Sequence, residues 1–115
     1  MIKLEDATTL SATDRELLLS VRQIVHRFVP TATLLLYGSA ARGAQDPESD
    51  YDVLIVTDAG LSKGDELTVR NAVYDLELTR NVVISVLFYA KDEWNGPVRR
   101  VSPFHVNVER DAIVI

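Results

Sequence analysis

Two apolar runs frame the middle of the chain, Leu34-Leu35-Leu36-Tyr37 and Val53-Leu54-Ile55-Val56. Between them lies a polar segment that opens on Gly38-Ser39 and closes on Asp50-Tyr51-Asp52. A run that is apolar on both faces belongs in the interior of a sheet rather than at its edge. The stretch therefore predicts a central strand over Ala32 to Tyr37, a Gly-Ser turn, and a short helical turn at Ala40-Ala41-Arg42. A loop over Gly43 to Ser49 follows, rich in turn formers, and then a second strand from Asp50 to Val56. No other stretch of the 115 residues narrows the fold as much.

The same stretch carries the chemistry. Side chains alternate across a strand, so Asp50 and Asp52 share one face and Tyr51 takes the other. Two carboxylates one pleat apart repel unless a cation lies between them. Mg²⁺ suits that place, since it takes one or two carboxylates together with phosphates and water. Gly38 lets backbone N–H groups approach an anion, Ser39 adds a hydroxyl, and a helix start adds its positive end. Arg42 has two readings, a guanidinium facing phosphate or a surface cation paired with Asp46 or Glu48; its place just after the turn favours phosphate. Each part alone is a common turn or a common strand end. In this order they describe a phosphate cradle beside metal-binding carboxylates, which is a nucleotide site.

The rest of the chain fits one small α/β domain over residues 1–115. Leu10 to Val29 reads as the first helix, with Thr13 and Glu16 as a capping box and Pro30 as its stop. His26 on that helix has no metal-ligand partner nearby and reads as structural or surface. Ser62-Lys63-Gly64-Asp65 is expected to cap a second helix that runs to about Thr79, with Leu67, Val69, Val73, Leu76 and Leu78 as its apolar positions and Asp75 and Glu77 as solvated carboxylates. Asn81 to Tyr89 reads as the third strand. Lys91 to Trp94 is a helical turn in which Trp94 is a packing anchor, and Ser102-Pro103 caps a last helix to about Glu109. The apolar ending Ala112 to Ile115 is expected to add a strand or pack on the core. Arg99 and Arg100 concentrate positive charge; a solvated pair is their default reading, and a contact strip for a partner or for ligand phosphates is the alternative.

Charge limits the function. Seventeen acidic residues against 12 basic ones give a net charge of −5. Bulk nucleic-acid binding rests on neutralising phosphates, so this balance disfavours it and leaves a small nucleotide or a basic protein partner. No apolar run approaches a membrane span, and MIKLEDATTL lacks the pattern of a signal peptide. The absence of cysteine suits a cytoplasmic setting.

Gly38-Ser39, ten residues, then Asp50-Tyr51-Asp52, with Ala41-Arg42-Gly43 and Ser49 in place, resembles the signature of the nucleotidyltransferases of the DNA polymerase β superfamily. The whole chain resembles their minimal branch, although only Gly38 to Ile55 carries specific motifs. The resemblance implies a small mixed β-sheet with flanking helices, the polymerase β-like palm. It implies Asp50 and Asp52 as catalytic and metal-binding residues, Gly38, Ser39 and Arg42 as nucleotide-binding ones, and Mg²⁺ with a nucleoside triphosphate, ATP by expectation. It also implies transfer of a nucleoside monophosphate to a hydroxyl, in homo- or hetero-oligomeric company. Minimal members resemble antitoxins paired with a HEPN-domain ribonuclease toxin, some of which modify a toxin tyrosine. The chain departs from the pattern at one point. Where many relatives place valine-aspartate-leucine-valine, with a third metal-site carboxylate, this sequence has Ile84-Ser85-Val86-Leu87. That departure sets two expectations against each other: an enzyme working with two carboxylates or with Asp92 as substitute, and a binding protein that regulates its partner by contact alone.

Overall fold

In the structure, a computed structural model, residues 1–43 and 50–115 are described. The sequence-predicted features at Ala44 to Ser49, including Ser49 of the motif and the pairing of Arg42 with Asp46 or Glu48, lie outside them. The first long helix, α1 (Ala12–Phe28), starts two residues inside the expected segment. Its capping box is Ser11 with Asp14, not Thr13 with Glu16: the Ser11 hydroxyl accepts from the Asp14 N–H at 3.0 Å, and Asp14 accepts from the Ser11 N–H at 3.1 Å. A tertiary contact favours this frame, because the other Asp14 carboxylate oxygen accepts a 2.6 Å hydrogen bond from the Tyr51 hydroxyl.

Five strands form one mixed sheet: β1 (Ile2–Lys3), β2 (Thr33–Tyr37), β3 (Tyr51–Thr57), β4 (Ile84–Ala90) and β5 (Ile113–Val114), in the order β1-β5-β2-β3-β4. β2 and β3 are antiparallel neighbours at the centre, as their two-faced apolar runs require. β3 and β4 are parallel, and a parallel pair needs a crossover. α3 (Lys63–Arg80) supplies it, capped by Ser62 as expected. The third strand is shorter than expected at its start, because Asn81 adopts the left-handed conformation (φ 55°) that ends α3. The Ala112–Ile115 ending does add a strand, antiparallel to β2 and parallel to β1.

Alternation along the strands divides the side chains between two layers. Leu34, Leu36, Val53, Ile55, Ile84 and Val86 pack with Leu17, Leu18, Val21 and Val25 of α1 and with Val69 and Val73 of α3. On the opposite face Leu35 and Leu54 pack with Trp94, Val108 and Ala112. These last three belong to or follow a set of short helices, α4 (Lys91–Trp94), α5 (Pro97–Arg100) and α6 (Pro103–Asp111). α6 is capped by Ser102 as expected and runs two residues past Glu109.

The α3 expectations need two corrections. Leu67 and Leu78 are exposed at 57% and 65%, so the buried stripe narrows to Val69 and Val73, with Leu76 at its border. Glu77 is not merely solvated: its Oε1 accepts from the Ile84 N–H at 3.1 Å, while Arg70 donates to the Val86 carbonyl at 2.8 Å. Both bonds fall on β4, the terminal strand of the sheet. Neither residue's partner was visible from helical spacing, since the strand lies outside the helix that spacing describes.

Candidate active site

β2 ends at Tyr37 and the chain turns through Gly38 at φ +75°, a conformation that costs glycine little and other residues much. A second constraint acts on the same atom. A Cβ on Gly38 would lie 2.5 Å from Oδ2 of Asp52. The carboxylate therefore rests against the bare Cα of the turn, and this contact joins the two halves of the motif. The turn continues directly into α2 (Gly38–Ala41), anchored by the buried methyls of Ala40 and Ala41, with Ser39 half-buried at its start. The helical turn thus begins two residues earlier than the sequence indicated.

Ladder register places Asp52 in a row with Tyr37 on one side and Ser85 on the other. The serine expected at the third carboxylate position is indeed the direct neighbour of Asp52. Asp92 cannot stand in for it: Ser85 is near the start of β4, and Asp92 follows the strand's far end in α4. Asp50 is exposed, immediately before β3, while Asp52 is half-buried. Tyr51 points the other way into the α1 layer, as alternation predicts.

The electrostatics agree with that placement. Burial raises the Asp52 carboxyl above its ordinary value, and the negative charge of Asp50 raises it further. The Tyr37 phenol is pushed up to about 12, by burial first and then by the charges of Asp52 and Tyr89. Tyr37 is thus a neutral hydroxyl at neutral pH, within electrostatic reach of both groups. Arg42 is exposed just past α2. The Asp111 carboxyl is held below its usual range chiefly by the hydrogen bond from Arg110, with the charge of Arg42 as a smaller contribution.

Tyr37 in this row, and Leu87 and Tyr89 further along the same face of β4, were not singled out by sequence reasoning as site residues. The aromatic rings are linked beneath the site, Tyr37 to Phe104 at 5.4 Å, Phe104 to Trp94 at 5.9 Å, and Trp94 to Tyr89 at 5.3 Å. Trp94 is 3% exposed and is the packing anchor it was expected to be. Period-two alternation from Ser85 through Leu87 to Tyr89 was the signal available for the β4 side. His26 is structural, its Nε2 lying 2.8 Å from the Ala32 carbonyl oxygen. The surface hollows of about 510 and 600 Å³ flank α1 and include none of the candidate residues.

Among the described residues, no lysine or arginine forms an ion pair with Asp50 or Asp52. No three His, Cys, Asp or Glu side chains gather in metal-binding reach among them either. Two mutually repelling carboxylates without a counter-cation fit Mg²⁺, whose remaining positions are filled by phosphates and water. They do not fit an ion that needs a cage made wholly of protein groups.

A mixed five-stranded sheet with flanking helices, whose central antiparallel pair sets a glycine turn against Asp52, has the nucleotidyltransferase fold. The chain belongs to the nucleotidyltransferase domain family, whose profile matches residues 18–111. A solved structure provisionally described as a minimal nucleotidyltransferase is similar in fold over 99% of this chain and 97% of its own, with a TM-score of 0.60 and 22% identity. Curated protein sequences provide no match. No helix among the described residues is long and apolar enough to cross a membrane.

Proposed function

We propose that the protein transfers a nucleoside monophosphate from a nucleoside triphosphate, ATP by expectation, to a hydroxyl acceptor, with Mg²⁺ held by Asp50 and Asp52. The contact of Asp52 with Gly38 carries this reading, since it brings a phosphate-binding turn and a metal-binding carboxylate within the span of one triphosphate. Gly38 and Ser39 hold the β- and γ-phosphates through backbone N–H groups and the serine hydroxyl, and Arg42 adds positive charge beyond α2. Bound Mg²⁺ supplies charge neutralisation and polarisation of the phosphate oxygens. The chain itself contributes position: it holds the donor so that attack is in line. The acceptor oxygen bonds to the α-phosphorus as the bond to the bridging oxygen breaks. Pyrophosphate leaves with that electron pair, and the acceptor proton passes to solvent. The resemblance to minimal antitoxins supports a tyrosine of a HEPN-domain partner as the acceptor.

Ser85 beside Asp52 favours a second reading. A serine supplies no negative charge and is no base at neutral pH, so the fold would then act on a partner by contact alone. One experiment separates the two. Mg²⁺-dependent transfer from α-labelled ATP is measured for the protein alone and with the product of its neighbouring gene, with Asp50→Asn/Asp52→Asn as control. Label on the partner, lost in the control, supports transfer with two carboxylates. Partner binding that survives the double substitution, with no label, leaves the contact-only regulator.

A further inference from the structure

Asp52 divides the face of the sheet into two sides. The Gly38-Ser39 turn is on the β2 side, and on the β4 side lie Ser85, Leu87 and Tyr89, which alternation places on the same face. If the turn holds the leaving pyrophosphate, in-line displacement brings the attacking hydroxyl from the opposite side, over β4. That side is not closed. Leu87 is 39% exposed although its ladder neighbour Leu54 is fully buried. Tyr89 is half-buried, and the Arg99 guanidinium lies over its ring at 4.7 Å.

The surface continues from there onto α5. Val98 and Val101 are 86% and 78% exposed and flank Arg99 and Arg100. Among the described residues neither arginine forms an ion pair. Arg99 and Arg100 are adjacent cations in a chain of net charge −5, and Asp92 and Glu93 line the same hollow as Val98 and Arg99, so the positive charge is confined to the outward end of the strip. The cation over Tyr89 is also pre-oriented by its ring, so fixing it on a ligand costs less side-chain entropy. Bare valines on both sides of the arginines contribute nothing against a phosphate backbone. They suit a protein surface in which acidic and apolar side chains alternate.

Building on the nucleotidyltransferase reading, we propose that Leu87, Tyr89 and the Val98–Val101 strip form the acceptor-docking surface, and that it takes an acidic, apolar protein segment presenting its hydroxyl to Asp52. Leu87 is the floor beneath the approaching residue, Tyr89 and Arg99 form one wall, and Arg100 with the two valines extends the contact outward. Arg99 and Arg100 pair with carboxylates flanking the acceptor residue.

The test uses fluorescent peptides of one length with a central tyrosine flanked by aspartate and leucine, by serine and leucine, or by lysine and leucine. A short oligoribonucleotide with a free 3′-hydroxyl is the fourth probe. Anisotropy with the full chain measures binding, and α-labelled ATP with Mg²⁺ measures transfer. The acidic peptide is expected to bind at least about tenfold tighter than the basic one, a difference that shrinks with salt. Arg99→Glu/Arg100→Glu inverts that order, and the milder Arg99→Gln/Arg100→Gln abolishes it. Asp50→Asn/Asp52→Asn retains acidic-peptide binding while losing transfer. Binding indifferent to peptide charge, or a preference for the oligoribonucleotide, overturns the inference even if transfer occurs. Acidic-peptide binding without any Mg²⁺·ATP binding overturns instead the nucleotidyltransferase reading beneath it, and the acceptor role falls with that reading.

Discussion

The two faces of the sheet are built from alternate residues of the same strands and come out differently. On one, helices of 17 and 18 residues cover the sheet, and Leu18, Val21, Val25, Val53 and Ile55 have no exposed surface. On the other, helices of four, four and nine residues cover only part of it, and Asp52, Ser85 and Leu87 remain within reach of solvent. β3 shows the division within one strand, Val53 and Ile55 turned into the covered layer and Asp52 away from it. The long amphipathic helices cover the sheet beneath them. Short ones leave a strip of sheet bare, and the carboxylate pair stands at the end of that strip.

Substitutions on the two faces are expected to separate activity from stability. Asp50→Asn/Asp52→Asn is expected to reduce nucleotide transfer on the order of a thousandfold, equivalent to about 4 kcal/mol of transition-state stabilisation, without lowering the melting temperature. A parallel loss of stability would show that the open face is structural after all. Leu18→Ala should cost about 3 kcal/mol in denaturant unfolding through the cavity it leaves, with the activity of the folded fraction retained.

Gly38→Ala affects both stability and the site, because it strains a positive φ and pushes a methyl against Asp52. A loss of about 2 kcal/mol is expected, together with weaker Mg²⁺·ATP binding by calorimetry. Normal binding would sink the claim that the Gly38 contact builds the site. Tyr51→Phe removes the bond to Asp14 and should cost about 1.5 kcal/mol, with transfer unchanged since the phenol lies in the covered layer. The smallest effect concerns pH. A carboxyl raised by the fold keeps its proton longer when folded than when unfolded. Its contribution therefore falls as pH rises from the ordinary value of 3.8 through the folded value, and is level above that. Melts of the parent and Asp52→Asn in metal-free buffer across that window should diverge in favour of the variant and then run parallel.

The centre of the fold was legible because its signals are local. Two-faced apolar runs placed β2 and β3 in the middle of the sheet, and Ser62 and Ser102 marked two helix starts by chemistry contained within four residues. Register was not legible from periodicity: only the family resemblance put Ser85 at the metal-site position beside the carboxylates, and nothing in the sequence showed Gly38 against Oδ2. β1 was missed because two residues at a chain's start carry no periodicity. The Ser11–Asp14 box was missed because Tyr51, 37 residues beyond Asp14, helps to choose it. Tyr37 looked like the last residue of an apolar strand, and its place next to Asp52 depends on the pairing of β2 with β3.

The bonds that Glu77 and Arg70 make to β4 bear on how such a chain survives at high concentration. A terminal strand with open N–H and C=O groups is a template on which another copy can lengthen the sheet. Here one donor and one acceptor of that row are already occupied by side chains of α3, and the Arg70 guanidinium also covers the Phe88 ring at 5.0 Å. A second molecule would have to break both bonds and expose charge before adding a strand. Glu77 and Arg70 thus guard the β4 edge of the sheet against strand addition.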